Sequence, residues 1–173
     1  MKRPIDPLER AGQILTGLQK GALLTVSAQG KTNTMTIAWG TLGVVWGKPM
    51  FIAYVRESRY TKSMLDEGME FTVNIPVDAG AKEILAYCGT HSFRDTDKIA
   101  DIHLETVPSD TVTPPAIRQL PLTLECRVVY RQAQDPGAIP PWAMERYYAS
   151  VPKDRYDYHT AYYGLIQSAY ILE

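Results

Sequence analysis

Apolar positions change period after residue 21, from helical spacing to the two-residue alternation of short strands. Leu8, Ala11, Leu15 and Leu18 share one helical face behind Asp6-Pro7, an N-cap and first-turn pair, and Gly21 offers a stop. Strands are predicted at 22–28, 34–39, 44–46 and 50–55. The turn-forming clusters Gln29-Gly30-Lys31-Thr32-Asn33, Leu42-Gly43 and Gly47-Lys48-Pro49 separate them. Short strands at this spacing favour an antiparallel barrel or sandwich over a parallel sheet. A short helix follows over 61–67, capped by Thr61 with Gly68 beyond its end, then a strand over 70–75 closed by Pro76. Residues 79–87 are predicted helical and 88–98 a polar loop. The Pro-, Ser-, Thr- and Asp-rich run 106–116 reads as an exposed connection. Leu122, Leu124, Cys126, Val128 and Tyr130 alternate on one face of a long strand over 121–134. Asp135-Pro136-Gly137 turns the chain, 141–150 can form a helix, and 161–172 reads as a final strand. The expected fold is mainly β, one barrel with peripheral helices over residues 1–173, without a second core or an internal repeat.

Composition narrows the function classes. The 173 residues are 45% hydrophobic and 21% charged with a formal net charge of −1, which suggests no nucleic-acid footprint. No stretch approaches the roughly 20 apolar residues of a membrane span. The N-terminal charges are followed by no apolar signal region, and Cys88 and Cys126 make no disulfide framework, so a reduced, cytoplasmic setting is expected. Metal-ligand spacing among His91, His103 and His159, a serine-nucleophile elbow, a Walker motif and a dinucleotide fingerprint are all missing.

Three segments carry candidate chemistry. Arg56-Glu57-Ser58-Arg59-Tyr60-Thr61-Lys62 joins a strand to a helix start, combining three cations, small hydroxyls and free backbone N–H groups. Those parts suit a phosphate monoester, although basic residues in such a loop also occur as plain solvated surface. In Asn33-Thr34-Met35-Thr36-Ile37-Ala38-Trp39-Gly40, the residues Asn33, Met35 and Ile37 face one side and Thr34, Thr36 and Ala38 the other. Such a segment is either an ordinary barrel strand with a core Trp or a platform for a planar heterocycle. The third runs from Tyr87-Cys88-Gly89-Thr90-His91 through Ser92-Phe93-Arg94 to Lys98. Here Cys88 is either a small buried residue or a redox thiol activated by Arg94, His91 and Lys98.

Taken in order, these segments resemble the flavin reductase-like family of FMN-binding split β-barrels. Trp46-Gly47-Lys48-Pro49, Phe71-Thr72-Val73-Asn74-Ile75-Pro76, Asp95-Thr96-Asp97-Lys98 and Asp157-Tyr158-His159-Thr160 belong to the same pattern. The resemblance implies a Greek-key split barrel that forms a homodimer, with FMN held non-covalently near the interface and NAD(P)H as electron donor. On that pattern Arg56, Ser58, Arg59 and Thr61 hold the phosphate, with Lys62 adjacent. Asn33, Thr34, Met35, Thr36 and Trp39 border the ring. Cys88, Gly89, Thr90 and Ser92 line the cleft, Lys98 contacts the flavin or its phosphate, and His159 approaches from the far end. Cys88 and His159 are the only catalytic candidates, and no metal is implied. The acceptor would be free flavin, another small molecule or a protein; the alternative activity is a flavoredoxin-type carrier without nicotinamide turnover. Relatives commonly read Ser-Gly-Arg-Asp where this chain has Ser92-Phe93-Arg94-Asp95, so that loop is expected to run differently or close over the flavin face.

Overall fold

A computed structural model describes residues 1–77, 80–152 and 155–173. Its main sheet is antiparallel and contains β1 (Lys2–Pro4), β2 (Ala22–Ala28), β3 (Lys31–Ile37), β4 (Gly40–Val45), β5 (Lys48–Arg56) and β6 (Glu70–Ile75). A separate two-stranded ribbon pairs β7 (Thr106–Val107) with β8 (Ala116–Ile117), and the main sheet is completed by β9 (Leu122–Ala133) and β10 (His159–Leu172). The strand order is β3-β2-β6-β9-β10-β5-β4, with β1 alongside the end of β10. β3 and β4 therefore stand at opposite ends of the sheet, yet only Ala38 and Trp39 separate them in sequence. The sheet must curl until its ends meet, and no ladder joins them. The barrel is split there, and β3 keeps a free backbone edge. The fold is mainly antiparallel sheet with peripheral helices, as the alternation predicts.

Leu24, Val26, Phe51, Val55, Phe71, Val73, Leu124, Cys126 and Tyr162 fill the barrel. Helix α1 (Ala11–Lys20) covers one end through Ile14, Gly17 and Leu18. The expected stripe was different: Leu8 and Leu15 are exposed, and the helix begins at Ala11 rather than behind Asp6. Asp6 instead accepts from the amides of Leu8 and Glu9, fixing the preceding turn. Helix α2 (Tyr60–Gly68) includes Gly68 instead of stopping before it, and Met69 takes the left-handed conformation at its end. Gly68 serves a different need, since a Cβ there would lie 2.4 Å from the Ser27 carbonyl oxygen. Arg59, not Thr61, occupies the N-cap.

Other departures have local causes. Leu42-Gly43 makes no turn, because β4 runs straight through it in register with β5. The predicted helix over 79–87 is α3 (Lys82–Thr90); Ala79 lies outside the described residues, and Cys88, Gly89 and Thr90 belong to the helix rather than to a loop. A short helix α4 (Lys98–Asp101), capped by Asp97, follows. The run 106–116 is tied down, not merely exposed. The buried Glu125 carboxylate accepts from the Asp110 and Thr111 amides and the Thr111 hydroxyl, and buried Asn74 accepts from the Ile117 amide. A register shift opposite Tyr163 and Gly164 inserts an extra residue into β9, which leaves Val129 and Tyr130 exposed after the buried Val128. The predicted 141–150 helix has one α-turn, α5 (Pro141–Ala143), and then a π-helical turn over Met144–Tyr148. Among the described residues no helix is long and apolar enough to cross a membrane.

Candidate functional site

Two hollows open at the split. The first, of about 250 Å³, is bordered by five consecutive residues, Met35 to Trp39, so the free backbone edge of β3 itself forms a wall. Tyr54 and Arg56 from β5, Arg59, Tyr147 and His159 complete it. The second, of about 150 Å³, gathers Ser58, Tyr60, Thr61, His91, Ser92, Phe93, Arg94 and Lys98. Met35, Arg56 and Arg59 line both, so the two form one elongated cleft. Joined, they fall within the range of small-molecule sites, roughly 300–1,000 Å³.

The second hollow is cationic. Arg56, Arg59, Arg94 and Lys98 converge on it, and none of its lining residues is acidic. Lys98 is almost fully buried; burial pushes its ammonium pKa down, and the Arg59 charge adds to that. Its Nζ donates to the His91 carbonyl at 3.3 Å, Arg59 donates to the Gly89 carbonyl, and Arg94 to that of Ser58. Tyr60 and Thr61, the first residues of α2, line the same space, so the positive end of that helix borders it. Four cations without a lining counter-ion repel one another, and an anion placed among them would relieve that repulsion.

Two buried polar atoms in this region lack hydrogen bonds. Arg56 Nε has no partner; its nearest carboxylate oxygen, Asp157 Oδ2, is 3.9 Å away. Asn33 donates to Thr61 Oγ1 at 2.8 Å while its own Oδ1 is unpaired. Asn33 sits on the strand face of Met35, which lines both hollows. Unpaired buried polar groups are costly, and Arg56, which lines both hollows, is suited to a polar ligand, whereas Asn33 itself lines neither. The free strand edge, the cationic pocket and Arg56 Nε fit a planar heterocycle carrying a phosphate.

Several candidates take other places. Thr34 turns into the barrel wall, donating to Leu24 O and accepting from Thr25. Lys62 pairs with Asp66 at 2.7 Å and Glu57 at 3.2 Å and does not line the cleft. Cys88 is buried with Leu23, Leu85 and Leu120 outside the barrel, and burial raises its thiol to about 11 despite Lys98 nearby. Burial therefore works against an activated thiolate. Thr90 is exposed and donates to the Ala86 carbonyl, and Gly89 packs on Thr36, which itself lines the first hollow and donates to Leu85 O. Phe93 stacks obliquely on Tyr60 at 5.6 Å and lines the second hollow, with Arg94 over the same Tyr60 ring.

Tyr54, Gln134, Tyr147, Tyr148 and Asp157 join the site without having been expected. Tyr54 was within reach of the alternation rule, two residues before Arg56 on β5. Asp157 holds the Ser58 amide at 2.9 Å, fixing the loop that presents Ser58 and Arg59. Tyr147 packs edge-on to Trp39, and its carbonyl accepts from Arg56 Nη2 at 2.8 Å. His159 lies 4.7 Å from the Trp39 ring, and its pKa falls from 6.5 to about 4, through burial first and then the Arg56 charge.

That depression makes stability pH-dependent. The unfolded chain protonates this imidazole near pH 6.5 and the folded one only near 4, so stability is full above 6.5 and declines as pH falls through that window. His159→Asn is expected to flatten the decline. Urea midpoints at pH 7 and pH 4.5 check this; an equal loss in variant and parent would refute it.

The chain belongs to the flavin reductase like domain family, whose model matches residues 19–170. An uncharacterized protein of Archaeoglobus fulgidus is 33% identical over 106 residues, a match spanning 61% of this chain and 59% of that relative's length. Among solved structures, flavoredoxin from Methanosarcina acetivorans is similar at 28% identity and a TM-score of 0.68, covering 88% of this chain and 68% of that one. The NADH:FAD oxidoreductase of Streptomyces globisporus shares the fold at 17% identity, with a TM-score of 0.65 and coverage of 97% and 86%.

Proposed function

We propose that this chain binds FMN non-covalently in the split-barrel cleft and acts as an NAD(P)H-dependent flavin reductase, passing electrons to free flavin or another acceptor. The observation that carries the reading is the cleft itself: a free strand edge leading into a pocket of four cations, with Arg56 Nε unpaired. Arg56, Ser58, Arg59, Thr61, Arg94 and Lys98 would hold the phosphate. The backbone from Met35 to Trp39 would meet the ring's polar rim, with Asn33 behind it bonded to Thr61. Bound FMN supplies the hydride and electron chemistry, and the protein supplies orientation and charge. Buried Lys98 and the arginines favour an anionic ligand and any negative charge that develops on it. Trp39 and Tyr147 shield one side from water and offer a surface against which a second planar molecule could rest. No nucleophile or general base is required of the chain. The exposed Trp39, Tyr147 and Trp142 beside the cleft also support a homodimer with the cofactor near its interface.

The similarity to a flavoredoxin favours a second reading, a bound-FMN electron carrier without nicotinamide turnover. Oxidation of NADH and NADPH in the presence of FMN separates the two. Multiple turnovers are expected; no oxidation by protein that holds FMN and accepts electrons from dithionite would sink the reductase reading in favour of the carrier.

A further inference from the structure

His159 has one ring nitrogen committed to a contact outside the cleft. Its Nδ1 lies 2.7 Å from the Tyr148 hydroxyl, which lies 3.0 Å from Gln134 Oε1. The identity of that oxygen is settled by a second contact, because the His159 backbone N–H, which can only donate, points at the same atom at 3.0 Å. Gln134 Oε1 can only accept, so the single proton of Tyr148 goes to it. The Tyr148 oxygen is then an acceptor toward His159, and Nδ1 must carry the imidazole proton. The reverse arrangement would set the Tyr148 and Gln134 oxygens against each other without a proton between them. Tyr148 is buried and its phenol pKa is raised by that burial, so it keeps its proton. Tyr148 and Gln134 line the recess with Trp142 behind the imidazole, while His159 lines the cleft in front. With Nδ1 turned back, Nε2 occupies the opposite edge of the ring.

We propose that Tyr148 and Gln134 are positioning residues that lock His159 in its Nδ1–H tautomer, so that Nε2 faces the cleft as a fixed acceptor for a ligand N–H. A neutral imidazole in water prefers the other tautomer, which would present a donor instead. The lock thus selects ligands with an amide, imide or ring N–H at this position over those that offer only carbonyl oxygens. The depressed basicity of the ring keeps Nε2 free of a proton at neutral pH. The consequence for recognition rests on the function proposed above, whereas the tautomer stands independently of it. The π-helical turn over Met144–Tyr148 has a role here, since it carries Tyr148 to the imidazole.

Nitrogen-15 side-chain spectra of the full chain as purified, at pH 7, test the lock. The wild type is expected to show a protonated Nδ1 and an unprotonated Nε2 at His159. Tyr148→Phe removes the acceptor, and Gln134→Leu frees the Tyr148 proton to turn toward Nδ1; each is expected to shift His159 to the Nε2–H form. Nε2–H in the wild type would overturn the proposal even if neither variant folds. Variants with a native amide spectrum that still carry Nδ1–H would overturn it as well. A protein that shows the Nδ1–H tautomer but takes up no FMN would overturn the proposed function and leave the lock standing.

Discussion

Replacing Ser58 and Arg59 together with alanine is expected to weaken FMN binding by at least about tenfold while leaving the fold intact. Both residues sit on the loop that enters α2, and both line the cationic hollow. A hydrogen bond to a charged group contributes about 1.5–3 kcal/mol and a neutral one about 0.5–1.5, and each 1.4 kcal/mol is a factor of ten. Exposure of Arg59 lowers its share, which is why the expectation stays at tenfold rather than several hundred. The matching control is Lys62→Ala. Although it lies one turn away, Lys62 is engaged by Asp66 and Glu57, so its loss should leave FMN affinity unchanged. Equilibrium titration of flavin fluorescence measures both, and unchanged affinity in the double variant would show that the phosphate is bound elsewhere.

Glu125→Ala is expected to cost on the order of 3 kcal/mol of stability, from three donors that lose their acceptor at about 1 kcal/mol each. The Glu125 carboxylate is inaccessible to solvent and takes the Asp110 amide at 2.9 Å, the Thr111 amide at 2.8 Å and the Thr111 hydroxyl at 2.6 Å. Lys2 Nζ lies farther off, at 3.8 Å, and adds little beyond charge balance. Glu125→Gln keeps one acceptor oxygen and should lose roughly half as much. Urea unfolding gives the numbers, and proteolysis between Val107 and Ala116 should quicken in the alanine variant. A loss below about 1 kcal/mol would mean that the segment is held by other contacts.

These cases mark where sequence is informative. Strand alternation located β2, β5, β6 and β10 because each residue's face depends only on its immediate neighbours. The loop proposed to hold phosphate was legible for the same reason: Arg56, Ser58, Arg59 and Thr61 fall within six residues at the start of a helix. Glu125 was hidden because the donors that need it, on Asp110 and Thr111, lie fifteen and fourteen residues away in a segment whose composition looks exposed. The β9 bulge that exposes Tyr130 has no local signature in a run of apolar and polar residues that otherwise alternates. Tyr147, Tyr148 and Gln134 were equally hidden, since irregular backbone brings them to β3 and β5 through long-range packing. For Cys88 the sequence left two roles open, a small buried residue or a thiol activated by nearby basic residues. The structure favours the first, because the helix turns the thiol into an apolar cluster.

Titration of the purified full chain with FMN bears most directly on the cleft at the split. Saturable uptake of one FMN per chain is expected, with quenched flavin fluorescence, shifted absorbance bands and competition by a phosphate-bearing analogue but not by riboflavin at equal concentration. A colourless protein that fails to take up FMN, or one that binds riboflavin as tightly as FMN, would contradict the account.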